Sequence, residues 1–443
     1  MAVGSLRSPR GRGTMDHDAE PDQPAAQVSS GAPVLRGFPV GPPEAAGVRH
    51  TGGVNAFASA VSTNADPGGA AREACAAVRE GLRGAAADLV VVFATPDLMA
   101  NAAGIAAIIA TDLAPGAAIG CTAEGVVGTG REVEAPPGIA IWAASLPGAA
   151  LEAFVLDPGL DADGATVLTG WPAQVDPRAP DGIASDDAVI VLADPFSFPP
   201  DSLHDESGKP AARAIIGGMA SGGRAPGEHR LIFGEHVLAE GAVGVVVPGA
   251  RAVVSQGCRP VGPEMTITAC HDGVVEQLAG RPALERVRAV VEDLPPDDRL
   301  LVDQGVLAGL VEDGNKPQLE QGDFLIRGIL GGDPESGAII VGERVRMGQV
   351  MRLQVRDHES ADADLRGALG EVPAGGAGGA LLFTCNGRGT RMFPGPHHDA
   401  RAVAETLGDI PLAGLFCNGE IGPVGGRAHL HGFTATLAVF MSE

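Results

Sequence analysis

Tyrosine is absent from the 443 residues, tryptophan occurs twice, and aromatics make up only 3% of the chain. Lysine is confined to Lys209 and Lys316. With 31 basic against 55 acidic residues the net charge is −24, so the chain repels phosphate backbones. Nucleic-acid binding without sequence preference needs a basic groove with stacking aromatics, and both are scarce here. Anionic membrane surfaces are excluded on the same ground. No segment approaches the roughly 20 uninterrupted apolar residues of a membrane helix, so no membrane insertion is expected. Arg7, Arg10 and Arg12 precede no apolar run, so the N-terminus does not read as a secretory signal. The six cysteines are scattered and form no Cys-x-x-Cys pair, which excludes a compact disulfide framework and structural zinc. The cytoplasm is the expected compartment. Scarce lysine beside abundant alanine, glycine and arginine fits a GC-rich, bacterial coding sequence.

What is present is an apolar content of 45%, enough for a sizeable core, and 65 glycines with 35 prolines to punctuate it. The length suggests two to three domains at roughly 150 residues each. Residues 1–52 hold 15 Gly or Pro and no periodic apolar pattern, so a disordered tail is expected there. Residues 56–63 suit a strand. Asp66-Pro67 supplies an N-cap and a proline at the first helical position, predicting a helix that runs to Gly84. Residues 89–93, Leu-Val-Val-Val-Phe, read as a buried strand. Thr95-Pro96-Asp97 starts the next helix, which stops before Pro115-Gly116, and residues 117–121 form another strand.

The rhythm then changes to hairpins, expected at 138–146 with 151–156, 230–238 with 243–247, 265–269 with 274–278, and 324–330 with 338–341. A helix is expected over 282–294. The fold class is therefore mixed, α+β with α/β character: two related layered domains with mixed sheets, hairpins and flanking helices, behind a disordered tail. The boundaries are 1–52 for the tail, 53–251 for the first domain and 252–443 for the second.

The relatedness comes from an internal repeat. Gly120-Cys121-Thr122-Ala123-Glu124-Gly125 parallels Phe416-Cys417-Asn418-Gly419-Glu420-Ile421, each with Cys at a strand end and Glu three residues on. Residues 89–93 correspond to 381–383. Ile215-Ile216-Gly217-Gly218-Met219-Ala220-Ser221-Gly222-Gly223 reads as a degenerate further copy. Ligands favour crevices beyond strand ends and between domains, so these glycine turns are where a site is expected.

Cys121 with Glu124, and Cys417 with Glu420, either line a small-ligand pocket or fill a core position and cap a turn. Thr384-Cys385-Asn386-Gly387-Arg388-Gly389-Thr390-Arg391 follows a strand, and its glycines let backbone approach an anion while Arg388 and Arg391 can fork a carboxylate. Walker, Rossmann and Gly-x-Ser-x-Gly spacings are all missing, so no cofactor is expected. His397-His398 precedes a helix, where capping or exposure is the ordinary outcome. His429 and His431 alternate on a strand and share a face, yet no carboxylate or thiol at ligand spacing joins them, so no metal is expected.

The runs Cys385-Asn386-Gly387-Arg388-Gly389, Pro411-Leu412-Ala413-Gly414, Asn418-Gly419-Glu420-Ile421-Gly422-Pro423 and His429-Leu430-His431-Gly432-Phe433-Thr434 together resemble the FIST C-terminal domain. Residues 89–93, Ile119 through Gly125 and Gly217 through Gly223 are similar to the FIST N-terminal domain. The resemblance spans about residues 55 to 440. It implies a sensory module that recognises metabolites such as amino acids and feeds signalling partners. The tail shows no F-box pattern, so the output is expected from a signalling protein in trans. Combined with the residues above, the expectation is non-catalytic binding of a small polar metabolite. Arg388 and Arg391 would hold its carboxylate and Glu124 or Glu420 its ammonium. Cys121, Cys385, Cys417, Asn386 and Asn418 would shape the pocket. The alternative is a thiol-dependent hydrolase or transferase using Cys417 or Cys385 with His429 or His431.

Overall fold

A computed structural model describes residues 54–160, 166–173, 175, 187–199, 203, 214–303, 305–312, 319 and 321–442; the tail expected over 1–52 lies outside them. Asp66 caps the first helix as expected, its carboxylate accepting from the Gly69 amide at 2.6 Å, and the helix spans Pro67–Gly81. The second helical stretch breaks into Pro96–Met99 and Ala102–Leu113, ending at a left-handed Ala114 just before Pro115-Gly116.

The layered, mixed-sheet α+β architecture read from the sequence is the one present, and the degenerate copy at 215–223 takes an equal place in it. Three sheets share one strand plan. In the first, Ala56–Ser62 lies antiparallel to Ile139–Ser145, which lies antiparallel to Leu89–Ala94, whose other neighbour Ala117–Thr122 is parallel. The second repeats this with Glu152–Leu160, Ala242–Val247, Ala188–Ala193 and Ala214–Met219. The third repeats it with Ala250–Gln256, Thr434–Met441, Ala377–Cys385 and Leu412–Cys417.

The copies are locked by a cyclic exchange of hairpins. The hairpin Val126–Gly128/Arg131–Val133 of the first copy pairs with Leu412–Cys417 of the third. That of the second, Leu231–Phe233/His236–Leu238, pairs with Ala117–Thr122 of the first. That of the third, Glu420–Val424/Arg427–His431, pairs with Ala214–Met219 of the second. The ring repeats down to single hydrogen bonds: Thr122, Met219 and Phe416 donate their amides to the carbonyls of Arg230, Gly419 and Gly125 at 2.9, 2.8 and 3.0 Å.

This exchange overturns two of the expected hairpins. Ile139–Ser145 and Glu152–Leu160 belong to different sheets, so Pro147-Gly148 joins two copies rather than two paired strands. Leu231–Phe233 turns back on His236–Leu238, while Ala242–Val247 returns to the second sheet, so Glu240-Gly241 is the hop home from an exchanged hairpin. A turn signal marks where the chain reverses but not which sheet receives the next strand. The other two hairpins form, with Ile267 opposite Leu278 and Ile329 opposite Val341.

Each sheet turns one face into a common core, where Phe93 meets Phe383 edge-on at 6.2 Å and Trp142 meets Phe440 at 4.7 Å. Burial on both faces explains why these strands read as unbroken apolar runs. The parallel strands approach too closely for a side chain at one position in each copy. A Cβ on Gly120, Gly217 or Gly414 would collide with the carbonyl of Val92, Val191 or Leu382. Between the first strand of the third copy and its helix His358–Gly370, a seven-stranded sheet is inserted. One face of it packs on the helix Ala283–Asp293; the other, with Cys258, Leu307, Phe324 and Ile326, packs toward Phe433.

Candidate functional site

Strand pairing gives the true register of the repeat, and it differs from the reading by residue type. Aligning the crowded glycines Gly120, Gly217 and Gly414 makes Cys121 equivalent to Gly218 and Leu415, and Cys417 equivalent to Ala123 and Ala220. Glu124 then matches Ser221 and Asn418. Glu420 matches Val126 and Leu231, because all three enter the neighbouring sheet at the same rung. Their cross-strand partners are His431, Val133 and Leu238. Two copies therefore place an apolar pair here, and the third places a glutamate and a histidine, both buried.

The residues named from the sequence separate into a rim and a floor. Glu124, Asn386, Arg391 and Asn418 are at least partly exposed. Arg391 forms an ion pair with Glu124 and donates to the Asn386 carbonyl at 2.6 Å, so residues 267 positions apart meet at the rim. Behind them the Ser221 hydroxyl donates to the Phe416 carbonyl and accepts from the Glu124 amide, joining all three copies.

Cys121, Cys385, Arg388, Cys417 and Glu420 form the floor and are buried. A Cβ on Gly218 would collide with the Cys417 thiol, so the degenerate copy has glycine where that sulfur packs. Burial pushes the Cys385 and Cys258 thiols up to about 12 and raises Cys121 and Cys417 further still. Nucleophilic cysteine chemistry needs a thiolate, and none of these positions supplies one near neutral pH.

Arg388 is wholly buried, and its fork is filled by Asp399, with Nε–Oδ2 and Nη2–Oδ1 both 2.8 Å. Asp399 also accepts from the Thr384 hydroxyl at 2.6 Å and from His398 Nδ1 at 2.8 Å. Burial alone would raise the Asp399 carboxyl, but the Arg388 charge and these hydrogen bonds hold it well below the usual carboxylate range. His398 reaches Asp362 with its other nitrogen at 2.9 Å and stacks on Phe393. What Arg388 retains for any other group is Nη1, which has no partner. The glycine-rich loop likewise receives a carboxylate of the chain itself: Glu134 accepts from the Thr390 hydroxyl at 2.6 Å and from its amide. Glu134 escaped the sequence reading because its partner lies 256 positions away, and Asp399 and His398 because no spacing signal shows that the turn between them and Arg388 folds back on itself.

Glu420 accepts from the Thr434 hydroxyl at 2.7 Å and its amide at 3.2 Å through one oxygen, while the other has no partner. Burial pushes this carboxyl up to about 8, so it carries its proton at neutral pH. His431 donates through Nε2 to the Gly422 carbonyl at 2.9 Å, and burial pushes it down to about 4. Next along the chain, Phe433 adopts φ +65°, a strained conformation for a bulky residue. Its ring lies 4.7 Å below the Arg356 guanidinium, which donates to the Gly387 carbonyl at 2.7 Å. Among the described residues no three His, Cys, Asp or Glu side chains converge as a metal set. An open groove of about 490 Å³ lies elsewhere, and its carboxylate, Glu73, is satisfied by Ser62 and Asn64.

Comparison with known proteins divides the chain into two consecutive domains, a division that follows neither the copies nor the insertion. Residues 88–281 match the FIST N domain and residues 283–423 the FIST C domain, the junction falling inside the inserted sheet. An uncharacterized protein of Mycobacterium tuberculosis (strain ATCC 25618 / H37Rv) is 44% identical over 389 residues, covering 86% of this chain and 98% of its own length. An uncharacterized protein of Mycobacterium bovis (strain ATCC BAA-935 / AF2122/97) is 42% identical over 390 residues, with the same coverage of both chains.

Proposed function

Because the chain belongs to the FIST family, whose domains are associated with sensory signal transduction, we propose that it is a non-catalytic receptor for a small polar metabolite of the amino-acid kind. Among the described residues no helix is long and apolar enough to cross a membrane. The receptor acts in the cytoplasm and passes its occupancy to a signalling protein in trans. The ligand sits where the strand-end turns of the copies meet, against the loop from Cys385 to Arg391.

One observation carries this reading. Three copies of one architectural unit surround a common core, and only the third replaces the apolar cross-strand pair with a buried glutamate and histidine. Burying such groups costs free energy that a Val or Leu pair does not. A fold that keeps two inexpensive versions and one expensive version puts the difference to use. The raised thiols weigh against cysteine catalysis at the same place.

The test is a thermal-shift screen of the full chain against amino acids and related small acids, repeated with Asn386→Ala. A ligand that binds the folded state raises the midpoint by mass action, about 2.7 kcal/mol at a hundredfold excess over Kd. The reading expects stabilisation by one chemical class and a weaker shift in the variant. Uniformly unshifted melting across every class would remove it.

A further inference from the structure

The polar atoms left without partners are not spread evenly over the protein. Arg388 Nη1, Glu420 Oε1, Gln256 Oε1, both side-chain polar atoms of Gln354, and Arg356 Nε all lack one. The first four of these residues are almost completely buried. They gather along the seam between the inserted sheet and the third copy. Gln256 precedes Gly257, where an added Cβ would lie 3.0 Å from Arg388 Nη1 and against the Phe433 carbonyl. Cys258 follows and pairs across the strand with Arg356, and Gln354 lies two residues along that strand on the same face. Glu420 reaches the seam through Thr434, next to Phe433. Buried polar groups in native proteins are satisfied almost without exception, so a run of unsatisfied ones marks a place that another molecule completes.

The chemistry of the seam says which molecule. The Arg388 charge is cancelled by Asp399. Arg356 has no carboxylate paired with it among the described residues, and its guanidinium faces only the Phe433 ring and a backbone carbonyl. Glu420 adds no negative charge while it keeps its proton. Asp364 accepts from the Gln256 backbone amide at 2.7 Å and brings a second carboxylate to the seam, so what the seam lacks is hydrogen-bond partners for its guanidinium N–H groups. It offers guanidinium N–H groups as donors, and the amide oxygens of Gln256 and Gln354 as acceptors.

Resting on the reading above, we infer that this seam is the ligand chamber, and that it takes a small monocarboxylate bearing a neighbouring hydroxyl or amino group. The carboxylate lies against Arg356 Nε and Arg388 Nη1, and the neighbouring O–H or N–H meets Gln256 Oε1. Gly257 is glycine because a Cβ there would collide with the Phe433 carbonyl and press on Arg388 Nη1, so the two strands bring these groups into close approach. The strained Phe433 backbone holds the ring that orients Arg356.

The experiment is titration calorimetry on the full chain with four probes: L-lactate, L-alanine, acetate and acetamide. Wild type is compared with Arg356→Gln, Arg356→Lys and the rim variant Arg391→Ala. Lactate or alanine should bind, acetate more weakly, and acetamide not at all. Arg356→Gln should lose affinity by about tenfold or more, the worth of one charge-assisted hydrogen bond. Arg356→Lys, which keeps the charge, should recover part of it and so separates lost recognition from lost folding. Arg391→Ala, at the mouth of the chamber, should weaken binding less than Arg356→Gln does. Wild-type affinity in Arg356→Gln together with loss in Arg391→Ala would move the site to the rim, overturning the chamber while leaving the receptor reading intact. Tighter binding of acetamide than of the acids would overturn the ligand class. Absence of binding by these probes together with an unshifted metabolite screen would remove the receptor reading and the chamber with it.

Discussion

Glu420 makes the stability of this protein depend on pH in a direction opposite to that of an ordinary surface carboxylate. Its folded-state pKa is raised to about 8 from the ordinary 4.5, so the folded chain keeps a proton that the unfolded chain releases. Its contribution is complete below 4.5 and is lost as the pH rises toward 8. In that window the unfolding free energy falls by about 1.4 kcal/mol per pH unit, reaching a ceiling of about 5 kcal/mol. Glu420→Gln keeps the size and the neutral charge and does not titrate. The variant should match wild type near pH 4.5 and become progressively more stable relative to it up to pH 8. Glu132, pushed up by burial to about 7, and His431, pushed down to about 4, titrate in both proteins and cancel in the difference. Urea unfolding of both proteins at a series of pH values provides the measurement, with the difference in free energy plotted against pH. Parallel profiles across the whole range would show that Glu420 is ionised or solvated in the folded protein, and the reasoning from its burial would be wrong.

Two further outcomes follow from the same floor. Asp399→Asn strips the carboxylate from a wholly buried Arg388 and should destabilise the chain by about 3–5 kcal/mol in urea, the cost of leaving a buried charge unpaired; a change below 1 kcal/mol would mean that water reaches Arg388. Cys270, the half-buried thiol, should react first with a neutral-pH alkylating reagent, while Cys121, Cys258, Cys385 and Cys417 stay protected until unfolding. Rapid, selective labelling of Cys385 or Cys417, read by mass spectrometry, would revive a thiol-dependent enzyme.

Much of the fold was legible because its signals are local. The Asp66-Pro67 cap, the buried run at 89–93 and the strand at 117–121 each depend on residues within one or two turns of each other. The repeat was legible as well, down to its degenerate copy. Its register was not. Matching Cys to Cys and Glu to Glu slid the third copy by two residues, because residue type says nothing about which rung of a sheet a residue occupies. Only the pairing of Glu420 with Gly218, and of Val126 with Leu415, shows that Glu420 stands where the other copies have valine and leucine.

The site was half legible for a related reason. Arginines beside a glycine turn after a strand do signal anion binding, and the loop from Cys385 to Arg391 does bind anions. They are the carboxylates of Glu124, Glu134 and Asp399 from the same chain, two of them more than 250 positions away. Gln256 carried no motif, and Gln354 and Arg356 lay in a run, 346–357, that fits the FIST C-terminal pattern without giving either a role; they matter because the inserted sheet folds back over the third copy.

The sequence by itself determined many of the strands and helices and the recurrence of one unit, since periodicity, caps and turn residues act over a few positions, and its motifs carried the resemblance to the family. Tertiary structure decided which sheet each hairpin joins, which arginine is already neutralised and which carboxyl keeps its proton. Those outcomes depend on burial and on charges brought together by long-range pairing, where desolvation and Coulomb energy outweigh anything a local pattern encodes.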